Sequence, residues 1–69
     1  MEIDFDKEAD ALYIIFRKGR FARNKRVDSD TIFDFDGSGN LLGIELLDAS
    51  KRIPDTSLSA IRVKNIAVR

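Results

Sequence analysis

Cysteine and histidine are both absent from the 69 residues, and the two absences exclude a good deal of chemistry. No disulfide can staple the core, and no thiol can act as a nucleophile. Cys/His zinc sites, haem held by histidine, and every Ser-His-Asp or Cys-His dyad go with them. A metal could be held only by oxygen. Long apolar runs are missing too. The stretch Leu12–Phe16 is far short of a signal-peptide core or a membrane-spanning helix, so a cytoplasmic protein with no membrane association is expected. No cofactor is expected.

Nor is there an excess of one charge. Lys plus Arg and Asp plus Glu each number 12, which argues against the uniformly basic surface of a non-specific nucleic-acid binder. The charges are nevertheless segregated along the chain. Residues 1–16 carry −4, residues 17–26 carry +6, residues 27–50 carry −6 and residues 51–69 carry +4. Alternating blocks of this kind suit strands whose opposite charges face one another across a sheet.

What is present is a series of short strand patterns. Met1, Ile3 and Phe5 alternate with Glu2, Asp4 and Asp6, which predicts a strand with one wet face. After a turn at Lys7–Asp10, the segment Ala11–Phe16 is apolar on both sides and predicts a strand buried on both faces. Gly19 marks a turn, and Phe21–Val27 reads as an exposed edge strand. Thr31–Asp36 alternates again, and Gly37-Ser38-Gly39-Asn40 has the composition of a four-residue hairpin loop. Leu41–Leu47 follows as a strand, with Gly43 pointing to a bulge or a close contact. Asp48–Ile53 predicts a short helix N-capped by Asp48 and stopped by Pro54. The tail Ala60–Val68 reads as a bulged strand, with a short amphipathic helix as the alternative.

In order, these segments resemble a known family. Asp6-Lys7-Glu8-Ala9-Asp10-Ala11-Leu12-Tyr13-Ile14 resembles the D-x-E-A-D-A-L-Y-I opening of the YuzE-like small bacterial proteins, a domain of unknown function (DUF2283). Ile32–Asp36 with Gly39 and Asn40 is similar to that family's acidic hairpin, and Gly43–Ser50 to its G-I-E-I-L-D-A-S segment. The resemblance covers residues 1–53; the tail 54–69 departs from it, and residues 17–26 are more basic than usual there. It implies a β-rich fold, bacterial or archaeal cytoplasm and no established activity. Some relatives are similar to antitoxins encoded beside small toxin-like proteins.

Three constellations merit a chemical reading. Asp34, Asp36, Ser38, Gly39 and Glu45 fall at positions one, three, five, six and twelve of a calcium-loop template. They lie on strand patterns, however, and no helix enters or leaves, so a plain hairpin is expected and the three carboxylates remain weak metal candidates. Asp6, Glu8 and Asp10 near Tyr13 have no base or nucleophile beside them and read as turn caps. Glu45 sits among apolar neighbours, and a salt bridge to Arg17 or Arg23 on an adjacent strand is expected to satisfy it.

The fold expected is one α+β domain over residues 1–69, a small twisted antiparallel meander of five or six strands with one short helix near residues 49–53. Leu12, Ile14, Phe16, Phe33, Phe35, Leu42, Ile44 and Leu46 form a sheet face too large for that helix to cover. The function expected is a non-catalytic protein-interaction module, an antitoxin-like partner or a homo-oligomer subunit, most simply a homodimer. Its candidate contact residues are Arg17, Arg20, Arg23 and Lys25 on the basic stretch and Ile61, Val63, Ile66 and Val68 in the tail. The alternative is a small enzyme or metal-dependent binder using Asp34, Asp36 and Glu45.

Overall fold

The computed structural model describes residues 1–54 together with Ser57 and Ala60. Among these residues, elements follow in chain order: β1 (Glu2–Asp6), β2 (Ala11–Ile15), β3 (Phe21–Asp28), β4 (Thr31–Asp36), β5 (Leu41–Leu46) and α1 (Ala49–Arg52). They form one antiparallel sheet in the order β1-β2-β5-β4-β3. The expected α+β class holds, with five strands. Two local units build the sheet, the β1–β2 hairpin and the β3–β4–β5 meander, and β5 returns to lie beside β2 in a Greek-key order.

Residues directly opposite one another on neighbouring strands share a face, so the register sorts every side chain. One face carries the row Ile3, Ile14, Ile44, Phe33 and Lys25, and beside it Phe5, Leu12, Leu46, Thr31 and Asp28. The other carries Asp4, Tyr13, Glu45, Ile32 and Arg26, and beside it Glu2, Ile15, Gly43, Asp34 and Asn24. The alternation read from the sequence in β1 and β4 is the cause of this division into an apolar and a polar face.

Burial is thin. Among the described residues only Ala11, Leu12, Leu42 and Ala49 form the buried apolar core, joined by the polar Thr31. Every phenylalanine, isoleucine and valine that is described is half-buried or exposed. The expectation that β2 is buried on both faces does not hold: Leu12 is buried at its start, whereas Ile15 on the polar face is 37% exposed. The reason is topological. The central strand is β5, and no element lies over the polar face at Ile15 to cover it among those described.

Gly43 permits the join between the two units. A Cβ built on it would stand 2.6 Å from the carbonyl oxygen of Ile14 on β2. Next to it the β4–β5 register shifts between Asp34 and Phe35, a bulge that lets the Leu42 carbonyl accept from Phe16 N–H at 2.8 Å and Arg17 N–H at 3.4 Å. The bulge and the close approach anticipated for this glycine are both present.

The helix is anchored from a distance. Asp48 sits at its N-cap position, but with φ 49° and no side-chain capping bond. That corrects the capping role expected of Asp48, because a left-handed backbone there turns its carboxylate away from the first-turn N–H groups. Asp10 supplies the cap instead: Ser50 N–H and Oγ–H donate to its carboxylate at 3.0 and 2.7 Å. Ala49 N–H donates to the Asp10 carbonyl at 2.9 Å. At the other end Arg52 donates to the Asp30 carbonyl at 3.0 Å and to Thr31 Oγ1 at 2.8 Å. One helical turn thus ties β2 to β4 across the end of β5. The strand or helix expected over Ala60–Val68 falls outside the described residues, apart from Ala60 itself.

Replacing Gly43 with alanine is expected to cost about 1–3 kcal/mol, since a backbone oxygen cannot step aside as a side chain can. Urea unfolding should show a lower midpoint at an unchanged slope. An unchanged midpoint would mean that β2 and β5 do not meet this closely.

Candidate functional site

The most unusual grouping on the sheet is a pair of carboxyls on the polar face. Asp34 on β4 is in register with Gly43, and Glu45 lies one pleat further along β5. The offset of one pleat sets the two carboxyls diagonally across the ladder, and Asp34 reaches Glu45 along that diagonal. Tyr13 on β2 and Ile32 on β4 flank Glu45 in its own row. These neighbours withdraw it from water.

The consequence is a glutamate that holds its proton unusually well. Burial, then a hydrogen bond and charge repulsion from Asp34, push the Glu45 carboxyl from 4.5 up to about 7, with Arg26 opposing. Asp34 Oδ1 is itself buried and receives no hydrogen bond. A protonated Glu45 brings a donor to Asp34, whereas an ionised one brings only a second negative charge. The cation whose charge reaches Glu45 is therefore Arg26, and not Arg17 or Arg23 as the sequence suggested. Arg23 stands on the opposite face, its guanidinium 5.6 Å from the centre of the Phe35 ring. Arg17 lies in the β2–β3 connection, where its charge acts on Asp36.

Asp36 has a different task. Its Oδ1 accepts from Ser38 N–H and Asn40 N–H, both at 2.9 Å, and its Oδ2 accepts from Asn40 Nδ2 at 3.0 Å. These bonds, the Asn40 side chain foremost, hold its carboxyl below the usual aspartate range. Of the three carboxylates in the calcium-like spacing, the structure brings Asp34 and Glu45 together and commits Asp36 to the hairpin turn. Among the described residues no three acidic side chains converge as a metal would require.

The acidic opening is structural in the same way. Asp6 Oδ1 accepts from Glu8 N–H at 3.0 Å and Ala9 N–H at 3.2 Å, which closes the β1–β2 turn. Beside Asp34 a shallow hollow of about 280 Å³ opens between Ile15, Arg17, Lys18, Phe21 and Gly43. Arg20 is exposed in the same connection and Lys25 on β3 is exposed on the apolar side. Ile61, Val63, Ile66 and Val68 lie outside the described residues. Sequence reasoning singled out Glu45 but missed its pairing with Asp34. The signal that could have found it is the hairpin loop Gly37–Asn40, which pairs β4 with β5 and so sets Asp34 and Glu45 on one face one pleat apart.

A carboxyl whose folded pKa is raised binds its proton more tightly in the folded chain, so protonation favours folding. The Glu45 contribution is complete below about 4.5 and is lost as pH rises through about 7. Glu45→Gln should remove this decline, which denaturant melts at a series of pH values would show. A variant that keeps the wild-type pH profile would assign the titration to another group.

The chain is similar to an uncharacterized protein of Methanocaldococcus jannaschii, 37% identical over 51 residues. That match covers 74% of this chain and 43% of the relative, so the chain spans less than half the length of the protein it matches. No solved structure matches the chain. Among the described residues no helix is long and apolar enough to cross a membrane. The profile of a family described as "Protein of unknown function (DUF2283)" matches residues 2–50, a span that takes in both the Asp6–Ile14 and the Gly43–Ser50 segments, and the chain belongs to that family.

Proposed function

We propose that this chain is a non-catalytic interaction module of the cytoplasm whose apolar sheet face closes against a second copy of itself. The observation that carries this reading is the incomplete burial of that face. Ile3, Phe5, Ile14, Phe33, Phe35 and Ile44 on it are all only half-buried, whereas Leu12 on the same face is buried. Phe33 and Phe35 stand edge to face, with ring centres 6.5 Å apart, and present a ready-made aromatic anchor of the kind that dominates interfaces. A chain of this size gains at most roughly 3–5 kcal/mol from its own core. A standard interface would withdraw about 800 Å² more per partner. An antitoxin-like pairing with a toxin would use the same face.

The enzyme or metal-binder reading has less support. It needs Asp34, Asp36 and Glu45 to act together, and Asp36 spends its oxygens on the turn.

Sedimentation equilibrium of the full chain across a wide concentration range is expected to show a monomer–dimer equilibrium, with a melting temperature that falls on dilution. Phe33→Lys should shift it to monomer. A wild-type monomer at every concentration, with a melting temperature indifferent to dilution, would show that the chain covers this face alone.

A further inference from the structure

The edge of the sheet offers a second surface, distinct from the apolar face. β3 is eight residues long, every one of them exposed, and among the described residues only β4 is hydrogen-bonded to it. A strand in this position leaves half of its N–H and C=O groups directed away from its neighbour. Register shifts between Phe21 and Arg23 and between Arg26 and Asp28 bound a regular stretch, Arg23–Arg26. Three of those four residues are cations. Arg23 and Lys25 stand on the apolar side and Arg26 on the polar side, so positive charge borders the outer edge above and below.

Two of these cations are already held in place. Arg23 rests over the Phe35 ring, and Arg26 donates to the Ser29 carbonyl at 2.7 Å. Apolar side chains close the ends, Phe21 at 57% and Val27 at 52% exposure. Charge on an edge strand ordinarily deters pairing, and here it does deter one partner. Two β3 edges meeting would set like charges against each other. It does not deter an acidic strand. The acidic β1 of another copy could pair there, but that contact repeats without closing and would run on into an open chain.

We propose that the β3 edge takes up an extended acidic segment of a partner protein as an additional strand of the sheet. Backbone hydrogen bonds along Arg23–Arg26 would supply affinity, and acids on both sides of the incoming strand would meet Arg23, Lys25 and Arg26. The backbone edge itself belongs to no contact of the apolar face, and the N-methylated peptide tests it separately, although Arg23 and Lys25 stand on that face.

The probe is a labelled eight-residue peptide of the repeat Glu-Glu-Val-Val, which sets acids on both faces of an extended strand and matches the length of β3, titrated with the full chain by fluorescence anisotropy. Three comparisons run beside it: the same peptide N-methylated at every residue, which leaves no hydrogen-bonding edge, a Lys-Lys-Val-Val repeat of the same length, and single-stranded poly(U). The expected result is saturable, salt-sensitive binding of the unmodified acidic peptide alone, about tenfold or more tighter than its N-methylated form. Arg23→Glu with Lys25→Glu should abolish it. Equal binding of the N-methylated peptide would reduce the site to bare electrostatics and overturn strand addition. Tighter binding of poly(U), absence of binding, or wild-type assemblies that keep growing with concentration would each overturn the proposal as well. The methylated peptide gives its answer even if the double variant fails to fold.

Discussion

The sheet depends on one tight passage, the approach of β5 to β2 at Gly43. The β1–β2 hairpin and the β3–β4–β5 meander are each locally closed, and only the β2–β5 ladder makes them a single sheet. That ladder needs a residue without a Cβ opposite the Ile14–Ile15 backbone. The carboxyl pair lies beside the same passage, since Asp34 is in register with Gly43 and Glu45 stands one pleat further along β5.

The second join is made by side chains. Asp10 and Ser50 are 40 positions apart, yet their bonds tie the start of β2 to the helix that follows β5. Asp10 has φ 52°, a left-handed conformation that aspartate tolerates better than most residues. Its backbone and its carboxylate are thus both specified. This explains in physical terms why the Glu8-Ala9-Asp10-Ala11 and Asp48-Ala49-Ser50 segments form one pattern: they are two halves of a single contact.

Much of this was legible in the residues. Period-two alternation located β1 and β4 and assigned their faces, because a half-wet strand must show it. Gly37–Asn40 marked its loop, and Gly43 its bulge. What escaped was everything that depends on which strands become neighbours. The apolar run in β2 suggested burial on both faces, but apolarity alone does not say whether a second layer exists. Asp48 had the right identity for a cap and the wrong backbone. Glu45 was correctly seen as costly to bury, yet its neighbour proved to be another acid, since the pairing of β4 with β5 set Asp34 beside it and put Arg23 on the opposite face.

The order β1-β2-β5-β4-β3 also has a consequence for how the chain reaches this state. Both local units close through short turns, such as Lys7–Asp10 and Gly37–Asn40. Joining them requires the chain between Ile15 and Gly43 to return on itself, and loop entropy must be met before that contact gives anything back. The β2–β5 ladder is then the late, rate-setting event of folding. Until it forms, the margin of β5 away from β4 and the margin of β2 away from β1 both remain open, and the interval in which the chain is most prone to wrong pairing is set by a single glycine-bearing strand finding its neighbour.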